Sequence, residues 1–177
     1  MNQGIEKMTA TAIMVIFPLC LAMAAFSDLL TMTIPNRVSI ILVAAFLVIA
    51  PLAGLSLGMI GMHLVAAAAV FAACFGLFAL NIMGGGDAKL LTASALWFGF
   101  NHSLVEFLVF VSVFGGLLSV VVLTLKSQSN LIAVSGLRLP KTLQHPKKVP
   151  YGIAIGAAAF LTYPSSPLMQ LLMSSTN

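Results

Sequence analysis

Charge is what this sequence has least of. Only 7% of its 177 residues are Asp, Glu, Lys or Arg, while 60% are apolar. Soluble domains carry about a quarter charged residues, so a soluble globular fold is excluded. Acids are scarcest, with Glu6, Asp28, Asp87 and Glu106 making up the whole set. The two cysteines, Cys20 and Cys74, stand singly in apolar runs with no C-x-x-C and no adjacent His. That excludes zinc spacing and a disulfide framework. His63, His102 and His145 are far apart in sequence, no P-loop Lys-Ser/Thr follows the glycine cluster at 84–86, and there is no internal repeat or low-complexity tract. Neither a metal nor a phosphate-bearing cofactor is therefore expected. The net charge of +4 gives topology in a chain this apolar, and no nucleic-acid partner is implied.

Long apolar runs are what the chain has instead. They extend over about 8–27, 38–57, 59–80, 88–100, 104–125 and 151–173. A helix needs about 20 apolar residues to cross a bilayer, so the expected fold is all-α, a polytopic membrane bundle of about six transmembrane helices forming one domain over 1–177. The fourth run is short for a span. Pro18 is placed to kink the first, and Pro164 and Pro167 to break the last. Ala22-Met23-Ala24 resembles a signal-peptidase site, but Glu6 and Lys7 cancel where a secretory leader is positive, so the first run is expected to remain as a span. Residues 126–150 form one basic loop containing Lys126, Arg138, Lys141, His145, Lys147 and Lys148, expected to lie on anionic lipid headgroups. Threading six spans puts Arg37, Lys89 and the loop's five Lys/Arg residues on one side and only Lys7 on the other. By the positive-inside rule that side is the cytoplasm.

Two of the four acids fall at that same boundary. Asp28 closes the first run, ahead of a turn in which Pro35 biases Ile34 away from helix and Asn36 is a candidate cap. Asp87 ends Gly84-Gly85-Gly86 and precedes the fourth run. The glycines allow positive φ or close approach, and Asp87 reads either as an ordinary helix cap or as a functional acid. Acids bordering a span are costly and mark function. Two that meet share a proton and can activate water against a peptide carbonyl. From helix ends alone, Asp87 at an N-terminus is the expected base and Asp28 at a C-terminus the expected acid. Lys89 either snorkels or holds a substrate carbonyl or lipid headgroup, and Glu106 reads as interfacial. A proton or cation path in a small transporter is the competing class, and a helix-packing scaffold a third. No paired broken helices favour the transporter.

The chain resembles the type IV prepilin peptidase family, in particular its short members linked to Flp/Tad pili. Gly84-Gly85-Gly86-Asp87 matches the family's G-x-G-D, and Ala88-Lys89-Leu90-Leu91 its continuation. Asp28 followed by Ile34-Pro35-Asn36 resembles the first catalytic aspartate with its I-P-N, and Pro150-Tyr151-Gly152 resembles the lead-in to the last helix. The resemblance implies a bacterial inner-membrane aspartic endopeptidase without a cofactor, cleaving prepilins or pseudopilins at the cytoplasmic face after a glycine. Larger members also methylate the new N-terminus and carry a paired C-x-x-C insert. Only a short turn joins Asp28 to the second helix here, so no metal is expected and methylation is left open, as is any oligomeric state. Presenilin-type proteases also use G-x-G-D, but pair it with Tyr-Asp, whereas Ser27 precedes Asp28.

Overall fold

The computed structural model describes residues 3–127 and 149–175, and among them the regular structure is helical. The chain runs through α1 (Gln3–Thr31), α2 (Asn36–Leu52), α3 (Leu57–Ala79), α4 (Gly85–Phe98), α5 (His102–Ser127), α6 (Tyr151–Thr162), a 3-10 turn (Tyr163–Ser165) and α7 (Pro167–Ser175). Within α1, α3 and α5, the stretches Gly4–Thr31, Leu57–Ala79 and His102–Leu125 are long and apolar enough to cross a membrane. α2, α4 and α6 are shorter, at 17, 14 and 12 residues. The all-α membrane bundle thus stands. The basic loop lies almost wholly outside the described residues, as does its expected contact with lipid.

Several boundaries depart from expectation. α1 begins at Gln3 and runs on to Thr31, beyond the expected 8–27 at both ends, with Pro18 inside it. α4 starts at Gly85, earlier than the expected 88, because Gly84 supplies an extended N-cap. The last run is divided, with Pro164 in the 3-10 turn and Pro167 opening α7, since proline cannot donate in a helix interior. Asn36 is not the cap of α2. Pro35 holds that position with φ −63° and ψ 132°, leaving the Asn36 side chain for another partner.

α4 is short because it is surrounded. It packs against α2 and α3, with further contacts to α6 and α7, and Leu90, Ala95, Trp97 and Phe98 are fully enclosed. α3 and α5 instead expose Phe71, Phe75, Val113 and Leu117, the surface expected of lipid-facing helices. Polar tips in the interior bond to main-chain carbonyls of neighbouring helices. Trp97 Nε1 donates to Leu42 O at 3.1 Å, Tyr163 Oη to Ile13 O at 2.8 Å, and His63 Nδ1 lies 2.7 Å from Leu96 O. Such bonds satisfy groups that water cannot reach and fix which helix faces meet. They leave α4 rigidly seated below its first turn.

Candidate active site

The C-terminus of α1 carries the first acid. Met32 has φ +54°, and its N–H donates to Asp28 O at 2.9 Å. This is a left-handed helix stop built without glycine. Hydroxyls hold the turn that follows. Thr31 Oγ1 donates to Ser27 O at 2.8 Å, Ser27 Oγ to Thr33 O at 2.9 Å, and the Thr31 and Thr33 hydroxyls lie 2.7 Å apart. They bind the segment before Pro35 to the last turn of α1, the turn that carries Asp28. None of these residues carried a sequence signal beyond polarity.

The second acid comes from the α3–α4 junction. Asn81, at φ +58°, closes α3. Its N–H donates to Phe78 O and that of Ile82 to Leu77 O, each at 2.9 Å, the paired pattern of a Schellman stop. Gly84 then caps α4 at φ −71° and ψ 142°, which places Asp87 third in the helix. Its carboxylate reaches back to the Gly84 N–H, as the third residue does in a capping box. The glycines therefore serve close approach. The expectation of positive φ fails at all three, since among the described residues only Gly54 and Gly99 adopt it as glycines. A Cβ on Gly84 would lie 2.8 Å from Asp87 Oδ2, one on Gly85 3.2 Å from the Phe78 ring, and one on Gly86 3.3 Å from Ile34 Cβ.

These junctions meet at one end of the bundle. A cleft of about 630 Å³ there is lined by Ile34, Asn36, Met83, Gly85, Asp87 and Tyr151, among others. Lys89 Nζ donates to Asn36 Oδ1 at 3.0 Å, which ties the second turn of α4 to the first turn of α2. Lys89 and Asn36 thus meet as a pair, and Pro35 orients the turn that delivers Asn36.

Asp28 lies behind this rim, buried at 5% exposure. The Gly152 N–H donates to its Oδ2 at 2.7 Å. A Cβ on Gly152 would come within 2.9 Å of Asp28 Cβ, so only glycine lets α6 approach this closely. Gly152 is the second residue of α6, and its N–H is among those a helix start leaves unpartnered. Asp28 consequently ends its own helix but sits at the anion-binding start of another.

Asp87 lies ahead of the apolar part of α4 and outside the three full-length spans. Its carboxyl is pushed up to about 7, chiefly by burial and next by the charge of Asp28, against a smaller pull from the Gly84 N–H. A helix N-terminus favours a nearby carboxylate by about 0.3–1 kcal/mol, and here that is outweighed. The charge of Asp28 acts on Asp87, so the two acids lie within electrostatic reach of each other.

A larger groove of about 690 Å³ between α1 and α2 is lined by apolar groups such as Ile16, Ile41 and Val48 and offers no acid or base. The model of the family described as the type IV leader peptidase family matches residues 15–120, well over half of the chain and inclusive of both aspartates. No curated protein and no solved structure matches the chain.

Proposed function

Because the chain belongs to the type IV leader peptidase family, and is accordingly a membrane protease with a protein substrate, we propose that Asp28 and Asp87 are its catalytic pair. In this proposal it removes the leader from prepilin-type proteins of a Flp-like pilus at the cytoplasmic face of a bacterial inner membrane. The observation that carries it is that Asp87 lines the cleft while Asp28, buried and from a helix distant in sequence, acts on it by its charge. Arg37 and Lys89 belong to the turns at that end, and Lys7 lies near the start of α1. This distribution supports the cytoplasmic orientation.

In the proposed reaction Asp87 holds the shared proton and Asp28 is the base, the reverse of what helix ends alone indicated. Water in the cleft gives a proton to Asp28 as its oxygen attacks the scissile carbonyl carbon. Asp87 gives its proton to the carbonyl oxygen, forming a gem-diol. Collapse returns a hydroxyl proton to Asp87, breaks the C–N bond and passes the proton on Asp28 to the leaving amine. The pair ends as it began, with one proton. The raised Asp87 and the Gly152 donor on Asp28 support this division, and the two groups titrate together.

The test is co-expression with a leader-bearing pilin precursor, comparing wild type, Asp28→Asn and Asp87→Asn by immunoblot for leader removal. Both variants are expected in the membrane at normal levels with the precursor uncut. Normal processing by either one removes the pair from the chemistry.

A further inference from the structure

Asp28 receives its Gly152 donor only if the first turn of α6 points the right way, and that turn has no cap of its own. Pro150 occupies the N-cap position and makes no side-chain bond. What holds the turn is α5. Ser119 Oγ donates to Gly115 O at 2.7 Å, which leaves the Ser119 oxygen as acceptor for the Tyr151 hydroxyl 2.9 Å away. The Tyr151 ring lies in a notch made by Gly115, where an added Cβ would fall 2.7 Å from Tyr151 Cε1. Tyr151 and Gly152 are consecutive. A ring held by a notch and a hydrogen bond therefore restrains Tyr151, and through it the start of the helix whose Gly152 N–H meets Asp28.

We propose that Ser119 is a positioning residue, holding Tyr151 so that the Gly152 N–H is aimed at Asp28. Gly115 provides the space this needs. The inference rests on Asp28 being catalytic, as proposed above. Ser119 is reached from Asp28 only through Tyr151 and Gly152, and it does not line the cleft. Tyr151 itself lines the cleft, but its ring stays in the Gly115 notch when the hydroxyl bond is lost, so removal of Ser119 acts on turnover more than on substrate binding.

The experiment uses the full chain in lipid nanodiscs with a leader-bearing pilin precursor, measuring kcat, KM and thermal unfolding for Ser119→Ala, Ser119→Thr, Tyr151→Phe and the Ala/Phe double variant, with Asp28→Asn alongside. Ser119→Ala is expected to lower kcat roughly fivefold, the loss of one neutral hydrogen bond, with KM changed by a smaller factor. Ser119→Thr, which keeps the hydroxyl, restores it, and the double variant is no worse than either single one because all remove the same bond. Wild-type kcat in Ser119→Ala, or a fall in unfolding temperature with kcat intact, overturns the positioning role while an inactive Asp28→Asn leaves the catalytic pair standing. An active Asp28→Asn overturns both. Should Ser119→Ala not accumulate, Tyr151→Phe reads the same bond from the other side.

Discussion

The Gly152 N–H and the Asp28 carboxylate, 124 positions apart in sequence, meet at 2.7 Å inside the bundle. The contact is backbone to side chain, and it needs a residue with no Cβ. Hydrogen bonds to charged groups contribute about 1.5–3 kcal/mol. Gly152→Ala is therefore expected to reduce leader cleavage by about 10- to 100-fold, as α6 moves off Asp28. Activity within twofold of wild type in a membrane preparation of matched protein content counts against the contact.

The pH dependence follows from Asp87. With its carboxyl raised to about 7, Asp87 is protonated below that value and ionised above it, so cleavage is expected to fall as pH rises through about 7. The folded state also holds this proton where the unfolded chain has released it. Between the ordinary value of 3.8 and about 7 stability therefore decreases as pH rises, and it levels off above. Asp87→Asn removes that slope, and at pH 8 the variant should unfold at a higher temperature than wild type. Equal unfolding temperatures at pH 5 and pH 8 in wild type contradict the shift.

The three glycines are not equivalent. A methyl on Gly84 meets the Asp87 carboxylate at 2.8 Å, whereas one on Gly85 meets only the Phe78 ring, at 3.2 Å. Gly84→Ala is expected to lose most of its cleavage activity with its helical circular dichroism preserved. Gly85→Ala should retain the larger share, helped by the preference of helices for alanine over glycine of about 1 kcal/mol. Gly86→Val must displace Ile34, 3.3 Å from the new Cβ, and should be impaired with both aspartates in place.

Lys89 and Asn36 join two turns through one exposed hydrogen bond of 3.0 Å. Lys89→Met and Asn36→Ala are each expected to lower cleavage by roughly two- to fivefold, as one surface bond is lost. The double variant should match the singles. Additive losses instead would mean that Lys89 contacts substrate or lipid directly.

Tyr163 Oη bonds Ile13 O at 2.8 Å, and its ring stacks on Phe17, away from the cleft. Tyr163→Phe should lower stability by about 1 kcal/mol in detergent unfolding and leave kcat unchanged.

The helices were legible because hydrophobic runs of span length have few alternative folds, and the acids because charge is so rare in the chain. The turns bearing Asp28, Asn36 and Asp87 announced themselves through Ile34-Pro35-Asn36 and the glycine cluster. What escaped was whatever a residue does for a partner distant in sequence. The Gly152 N–H has no side chain to advertise it, and Gly115 looks like any small residue in an apolar helix. Met32 in a left-handed stop gives no turn signal at all. Weighing each aspartate against its own helix makes Asp87 the base and Asp28 the acid, and the division proposed above reverses this by weighing each against its neighbours. Asp28 faces the start of α6, and Asp87 is governed by burial and by Asp28.

The order of the chain gives the Asp28 contact a temporal meaning. Asp28 and Asp87 leave the ribosome well before residue 152, whose N–H meets Asp28. A nascent chain that already carries both acids does not yet have the backbone donor that meets Asp28. If the two acids are the catalytic pair proposed above, activity waits for α6, and a copy inserted only as far as α5 has no finished site with which to cut its neighbours in the membrane.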